Sequence, residues 1–325
     1  MTNPRRVLVT GATGQIGSEL VTELRNKYGN DEVVAVGHKR QPTETLRNSG
    51  PFELADTSDK ERLAGIIEKR DVGIVYHLAS LLSAVGEKYP QLAWQVNTEG
   101  LCNVLDLAKE RGIQVFWPSS IAVFGPDTPR VNTPQNTITI PNTIYGVSKV
   151  AGELLCNYYF LKFGVDVRSL RFPGIVSSET PPSGAGTTDY AVEIFYEALR
   201  KKKYTCFLRD DTVLPMMYIP DCIKATLDLM STEQTRVKRR TSYNLSAMSF
   251  SPKDLTTQIK KHVPDFTCDY VPDFRQKIAD SWPMSIDDHE ARKDWGWQPT
   301  YDLSAMTEDM IKKLSKKFEV HKYHD

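Results

Sequence analysis

The sequence predicts an α/β protein: a doubly wound parallel sheet followed by a smaller, mixed α/β C-terminal region. Three observations carry this prediction. Over the first two thirds of the 325 residues, short continuous apolar runs alternate with stretches of helical spacing; a glycine-rich turn joins the first such pair; and the alternation breaks after Pro173. Continuous apolar strands suit a parallel sheet covered on both faces, because neither side of such a strand meets water.

"RRVLVTG", beginning at Arg5, reads as a buried strand, and residues 15–28 place Ile16, Leu20, Val21 and Leu24 at helical spacing. A strand at 32–37 ("EVVAVG"), a short extended piece at 52–56 ("FELAD"), a helix at 59–70 and a strand at 72–80 ("VGIVYHLAS") follow. A long helix is predicted over about 90–111, then a strand at 113–120 ("IQVFWPSS"), a helix over about 144–163 and a strand at 165–173 ("VDVRSLRFP"). "SSETPPSGAGTTD" (177–189) is a loop rich in Ser, Pro and Gly, of a length that is either functional or disordered. Helices near 189–202, 220–231, 252–262 and 303–317 then alternate with short extended pieces, and the terminal "SKKFEVHKYHD" is expected to fray.

Composition narrows the function classes. Apolar residues make up 40% of the chain, charged residues 25%, and the formal net charge is zero, the balance of an ordinary soluble globular protein. The densest basic runs, "LRKKK" at 199–203 and "RVKRR" at 236–240, read as solvated helix ends or loops, so no nucleic-acid partner is expected. Five scattered cysteines (Cys102, Cys156, Cys206, Cys222, Cys268) without a CxxC pair indicate a reducing compartment. The six histidines form no ligand spacing, so no metal is expected. No apolar stretch is long enough to span a bilayer, so no membrane partner is expected, and the early first strand leaves no room for a leader in the chain as given.

"VLVTGATGQIG" sets Gly11, Gly14 and Gly17 between the first strand and the first helix. Glycines there permit a tight turn, a close backbone approach to a diphosphate and close helix–strand packing, with the diphosphate at the helix N-terminus. Residues 1–174 therefore read as a dinucleotide-binding domain whose sheet later strands can complete. Residues 175–325 read as a substrate-binding or cap region with a lid loop at 177–188. The second strand ends in Gly37 and His38, where a ribose-binding carboxylate would favour NAD, and Lys39 and Arg40 follow, which suit a 2′-phosphate. These residues alone are neutral between the two cofactors or lean towards NADP. Asp56 is placed either for the adenine amino group or as the cap of a helix starting near Ser58.

"YGVSK" puts Tyr145 and Lys149 four apart, hence on one helix face. A free tyrosine, with a pKa of about 10, is a poor base at neutrality, but a nearby ammonium stabilises its phenolate. Ser120, at the carboxyl end of the fifth strand, is placed to hydrogen-bond the same substrate hydroxyl.

In order along residues 7–174, "GATGQIG", "YHLAS", "VNTEG", "SSIAVFG", "YGVSK" and "RFPG" resemble the extended short-chain dehydrogenase/reductase family, best known for sugar-nucleotide epimerases. The resemblance implies a Rossmann-type fold and a catalytic triad of Ser120, Tyr145 and Lys149. It also implies cofactor contacts from Gly11, Gln15, Ile16, Gly17, Leu78, Ala79, Asn97, Tyr145, Lys149 and the "RFPGI" strand end with Pro173 and Ile175. Gly14, Ser80, His38 and Asp56 complete the expected cofactor set. "GAGTTDYAVEIFYEAL", "LPMMYIPDCIKAT" and "IADSWPMSIDDHEARKDWGWQP" are similar to the short-chain type of L-threonine 3-dehydrogenases. That likeness implies oxidation of the threonine C3 hydroxyl with NAD to 2-amino-3-oxobutanoate. The resembled proteins often carry an acid where this chain has Gly37-His38.

The expected substrate contacts are Ser80, Ser120, Tyr145, Thr187, Thr188 and Trp282. Asp189 is placed as a helix cap or a direct contact, and Trp295 and Trp297 as C-terminal core. The resemblance further implies a homodimer through the helices at 90–111 and 144–163. Leu101, Leu105, Leu154 and Tyr158 permit that dimer or simply cover the sheet. It implies a mitochondrial matrix location in a eukaryote and a cytoplasmic one in a bacterium. Two rivals remain: a sugar-nucleotide epimerase or dehydratase, for which Arg200, Arg209 and Lys224 are the candidate diphosphate contacts, and a non-catalytic NAD(P)-binding sensor.

Overall fold

The structure, a computed structural model, describes residues 6–321 except 182, 183 and 185. The main sheet takes β1 (Arg6–Thr10), β2 (Val33–Gly37), β3 (Phe52–Leu54), β4 (Val72–His77), β5 (Gln114–Ser120) and β6 (Val167–Phe172). Its seventh strand, Tyr243–Asn244, comes from far along the chain, and the order is Tyr243–Asn244, β6, β5, β4, β1, β2, β3 with every pairing parallel. Strand order reverses between β1 and β4, so the crevice at the carboxyl ends of those strands is where a ligand fits in this topology. A cut at residue 174 would therefore split the sheet, since Tyr243 and Asn244 pair with Leu170 and Arg171.

The period of two along β1 explains both faces of the sheet. Val7 and Val9 join one apolar cluster with Leu20 and Leu24 of α1 (Gln15–Tyr28), while Leu8 joins another with Val34 and Val36 of β2. That second cluster is closed by α3 (Lys60–Arg70), through Leu63, Ile66 and Ile67, after a short α2 (Glu44–Asn48) that the sequence pattern did not predict.

The helix predicted over 90–111 is interrupted. A short α4 (Ser83–Lys88) precedes α5 (Pro90–Trp94), a π-helical turn occupies Gln95–Glu99, and α6 (Gly100–Arg111) follows. The π turn spends one extra residue per turn and rotates Asn97 inward, where it is buried. The predicted helix at 144–163 is α7 (Ile144–Phe163), capped by Thr143, whose hydroxyl accepts from Gly146 N.

Behind the carboxyl ends of β5 and β6, one buried ion pair ties three elements together. Arg171 of β6 donates from Nε and Nη2 to the two carboxylate oxygens of Glu153 of α7, each at 2.8 Å, and Ser119 of β5 donates to the same carboxylate at 2.6 Å. Arg171 Nη1 also reaches Gln135 O and Asn244 Oδ1, each at 3.0 Å, which draws the late strand Tyr243–Asn244 into the same network.

Past β7 (Gly174–Val176), α8 (Tyr190–Lys201) and the later elements build two small sheets. One sets β7 parallel to Leu214–Tyr218, which in turn pairs antiparallel to Met248–Phe250; the other pairs Lys203–Cys206 with Thr267–Tyr270. Trp295 and Trp297 are buried there, with Trp297 Nε1 donating to Asp288 Oδ2 at 3.0 Å.

The basic run at 236–240 is more than a solvated loop. Arg240 is buried and its Nη1 meets Asp166 Oδ1 at 2.5 Å, while Arg239 clasps Glu290. The final predicted helix runs over Leu303–His321, so the first part of the expected frayed tail is helical, and residues 322–325 lie outside the described residues. No helix among the described residues is long and apolar enough to cross a membrane.

Candidate active site

A single cleft at the carboxyl ends of β1, β4, β5 and β6 gathers most of the predicted residues. Gly11, Gly14, Gln15, Ile16 and Gly17 line one wall, Leu78, Ser80, Ser120, Tyr145 and Lys149 the floor, and Pro173, Ile175, Thr187, Thr188 and Trp282 the far side.

The glycine turn has the shape its sequence requires. Gly11 has φ +66, and a Cβ there would sit 2.8 Å from Ala79 N; a Cβ on Gly17 would sit 2.2 Å from Gly11 O. Gly14 caps α1 with no side-chain hydrogen bond, and the first turn carries no acid. The open N–H groups and the helix dipole there fit a dinucleotide's diphosphate. When bound, such a cofactor supplies a hydride acceptor.

At the floor, the Ser120 hydroxyl hydrogen-bonds the Tyr145 phenol and also accepts from Ala122 N at 3.2 Å. Lys149 donates from Nζ to Pro118 O at 2.7 Å, lies 4.6 Å from the Trp117 ring centroid, and stands 5.4 Å from that of Tyr145. Burial pushes the Tyr145 phenol up to about 12, against the Ser120 hydrogen bond, and pushes the Lys149 ammonium down to about 7. In the free protein, desolvation thus outweighs the expected lowering of the Tyr145 pKa by Lys149. Both groups are dehydrated in a site that favours neutral forms.

Several expected contacts lie elsewhere. Asn97 does not line the cleft: its Oδ1 accepts from Leu81 N (2.8 Å) and Ser80 Oγ (3.0 Å), and its Nδ2 donates to Leu81 O and Ser148 Oγ, each at 3.1 Å. It holds the loop after β4 against α7 and so positions Ser80. Ala79 contributes the backbone that closes over Gly11. His38 and Asp56 sit at the far rim, beyond β2 and β3, with His38 Nε2 3.5 Å from Asp56 Oδ2. Asp56 is not the helix cap: Asp59 caps α3 by accepting from Arg62 N, while Asp56 folds its own turn by accepting from Ser58 N and Oγ. Asp189 caps α8 only through its backbone, and its carboxylate borders the cleft.

The pattern missed Ser83, Leu82 and Glu153. Glu153 carried no local signal, since its partner Arg171 lies 18 residues on, in another element. Gly174 is explained by contact, since a Cβ would strike Met216 Sδ at 2.3 Å and Thr188 Cγ2 at 2.8 Å.

The predicted lid is strapped at both ends. Ser83 Oγ and Thr187 Oγ1 are 3.1 Å apart, Tyr196 OH donates to Ser178 O at 3.1 Å, Lys317 Nζ donates to Glu179 O at 2.8 Å, and Ser177 Oγ donates to the Glu19 carboxylate of α1. Residues 182, 183 and 185 of this segment lie outside the described residues. The cations a second diphosphate would need are engaged away from the cleft: Arg209 pairs with Asp280 at 2.7 Å, Lys224 with Asp228 at 2.8 Å, and Arg200 stacks on Phe318. Among the described residues no group of three or more His, Cys, Asp or Glu is placed to hold a metal.

Comparison with known proteins agrees with this geometry. The profile of the NAD dependent epimerase/dehydratase family matches residues 7–246. An uncharacterized epimerase/dehydratase of Staphylococcus haemolyticus is 50% identical over 313 residues, covering 96% of this chain and 98% of the relative. The crystal structure of L-threonine dehydrogenase from Phytophthora infestans superposes with a TM-score of 0.92 at 53% identity, covering 96% of this chain and 99% of that one. A monomeric L-threonine 3-dehydrogenase from a metagenome, in its apo form, gives 0.92 at 50% identity with the same two coverages.

Burial pushes the Glu19 carboxyl at the lid base up to about 7, the Ser177 hydrogen bond and Lys313 opposing, Glu179 and Glu23 adding to it. Between the ordinary glutamate value and about 7 the folded state holds a proton that the unfolded chain has lost. The associated stability is fully present below the unfolded pKa and is lost as pH rises through the folded one. Glu19→Gln keeps an acceptor for Ser177 but cannot ionise. Its thermal midpoint should exceed that of the unsubstituted protein at pH 8, by about 1–3 kcal/mol in stability, and match it near pH 4. Equal midpoints at both pH values would mean that Glu19 ionises freely.

Proposed function

The chain belongs to the NAD dependent epimerase/dehydratase family, and within that family we propose that it is an L-threonine 3-dehydrogenase. It oxidises the C3 hydroxyl of L-threonine with NAD to 2-amino-3-oxobutanoate. The observation that carries this reading is the likeness to solved L-threonine dehydrogenases along nearly the whole chain, including the residues after 174 that build the substrate side of the cleft.

In the proposed reaction the Tyr145 phenolate oxygen takes the hydroxyl proton as the C3–H bond breaks and C3 becomes a ketone; a bound NAD would supply the acceptor for that hydride. Ser120 holds the hydroxyl and, by its hydrogen bond to the phenol, favours the phenolate. Lys149 supplies the positive charge beside that phenolate, held in place by Pro118 O. Ser80, Thr187 and Thr188 take the substrate carboxylate, and the Asp189 carboxylate, bordering the same cleft, faces the ammonium. Trp282, buried in the wall, and the strapped residues 177–179 and 187 exclude water. On this reading residues 1–174 carry the cofactor, residues 175–325 complete the substrate side, and Tyr243–Asn244 returns to the sheet.

The staphylococcal relatives support a cytoplasmic location and give no support to a mitochondrial one. Leu101 and Leu105 are buried on the sheet, whereas Leu154 and Tyr158 are 61% and 52% exposed on α7, beside exposed Leu161 and the Leu92 and Trp94 of α5. That apolar stripe supports pairing with a second copy. Sedimentation should give twice the 36.8 kDa chain mass, and Leu154→Glu should give the single mass; one chain mass for both would sink the dimer.

Purified protein mixed with L-threonine and NAD should raise the absorbance of reduced nicotinamide. Tyr145→Phe should lower that turnover by about 10²–10⁴-fold while the variant still binds NAD. Near-normal turnover in the variant would refute the assigned base. Silence of the unsubstituted protein with threonine would return the reading to an epimerase if a nucleotide sugar is converted, and to a sensor if NAD binds and nothing turns over.

A further inference from the structure

The adenosine end of the dinucleotide cleft is built for more than an unmodified ribose. In a doubly wound sheet the ribose hydroxyls meet the carboxyl end of β2, where a carboxylate favours NAD and a cation accommodates a 2′-phosphate. Here β2 ends at Gly37, which is buried. A Cβ at that position would lie 2.8 Å from Phe52 Cζ and 3.1 Å from Thr13 Cγ2, so the space an acidic side chain would occupy is filled by the Phe52 ring and the threonine methyl.

Three basic residues follow at once. His38, Lys39 and Arg40 are all exposed, and neither Lys39 nor Arg40 forms an ion pair with another described residue. The carboxylate that faces them, Asp56, is engaged: Oδ1 accepts from Ser58 N at 3.0 Å and Ser58 Oγ at 2.8 Å, and Oδ2 faces His38 Nε2 at 3.5 Å. Its charge is met first by Ser58 and His38, with Lys39 near enough to add to its stabilisation, and neither Lys39 nor Arg40 is within ion-pair distance of it. Below this rim Arg25 fixes the chain between β2 and β3, donating to Leu46 O and Pro51 O, each at 2.8 Å. The basic segment therefore projects from a supported ledge.

We propose that His38, Lys39 and Arg40 form a 2′-phosphate subsite, so that the chain binds NADP as well as NAD. A phosphate monoester brings a charge of about −1.5 to −2 at neutral pH, and two exposed cations with a histidine able to donate give it charge-assisted hydrogen bonds. This rests on the family's dinucleotide site and not on threonine as substrate.

Calorimetric titration of the full chain with oxidised NAD and oxidised NADP, without any substrate, tests it. The subsite predicts dissociation constants for the two within about tenfold of each other, and a Lys39→Ala/Arg40→Ala double variant that weakens NADP by about tenfold or more but NAD by less than about threefold. NADP weaker than NAD by more than about tenfold in the unsubstituted protein, or a double variant that weakens both equally, would overturn it. Because the readout is binding, NAD that binds while NADP does not would refute the subsite and leave the threonine reading standing.

Discussion

The site depends on one buried ion pair. Glu153 and Arg171, each nearly inaccessible, lock α7 onto the carboxyl ends of β5 and β6, and Ser119 completes the carboxylate's shell. Lys149 and Tyr145 ride on α7 one and two turns before Glu153, and Ser120 follows Ser119 on β5. Burying two charges is expensive, and the arrangement holds only because the geometry is bidentate and the remaining acceptors and donors are filled by Ser119, Gln135 and Asn244. Removing one partner from such a pair typically costs about 3–5 kcal/mol, because the other charge is left buried alone. The same network reaches the late strand at Tyr243–Asn244, so sequence from both halves of the chain meets behind the reacting groups.

Dehydration is the second theme. The floor of the cleft leaves a tyrosine whose phenol burial holds near 12 and a lysine whose ammonium burial draws to about 7. A site of this kind leaves the phenolate poorly stabilised until positive charge enters it. Since an oxidised nicotinamide carries such charge, cofactor binding and base activation become coupled by electrostatics alone.

Much of this was legible in the sequence because the signals were local. The turn at Gly11, Gly14 and Gly17 needs only spacing and a positive φ at Gly11, and α1 follows directly from its apolar periodicity. What stayed hidden depends on contacts between distant residues. The π turn that buries Asn97 looks like ordinary helix in sequence, and the role of Asn97 as a brace for Ser80 appears only when the loop after β4 lies beside α7. Asp56 matched two roles by position, and the helix cap went to Asp59 because Asp56 already closes a turn with Ser58. Arg240 belonged to a run that reads as solvated, yet the partly buried carboxylate of Asp166, 74 residues earlier, recruits it. The short extended pieces expected after residue 174 could not be placed, because each pairs with a partner whose position no periodicity records.

The central claim is that a hydride leaves C3 of threonine for the nicotinamide while Tyr145 takes the hydroxyl proton. Threonine carrying deuterium at C3, incubated with the protein and NAD, tests it most directly by mass spectrometry of the recovered cofactor. The account predicts reduced NAD heavier by one deuteron, with label appearing in step with product. Reduced cofactor without label, or labelled threonine recovered intact beside unreduced NAD, would contradict it.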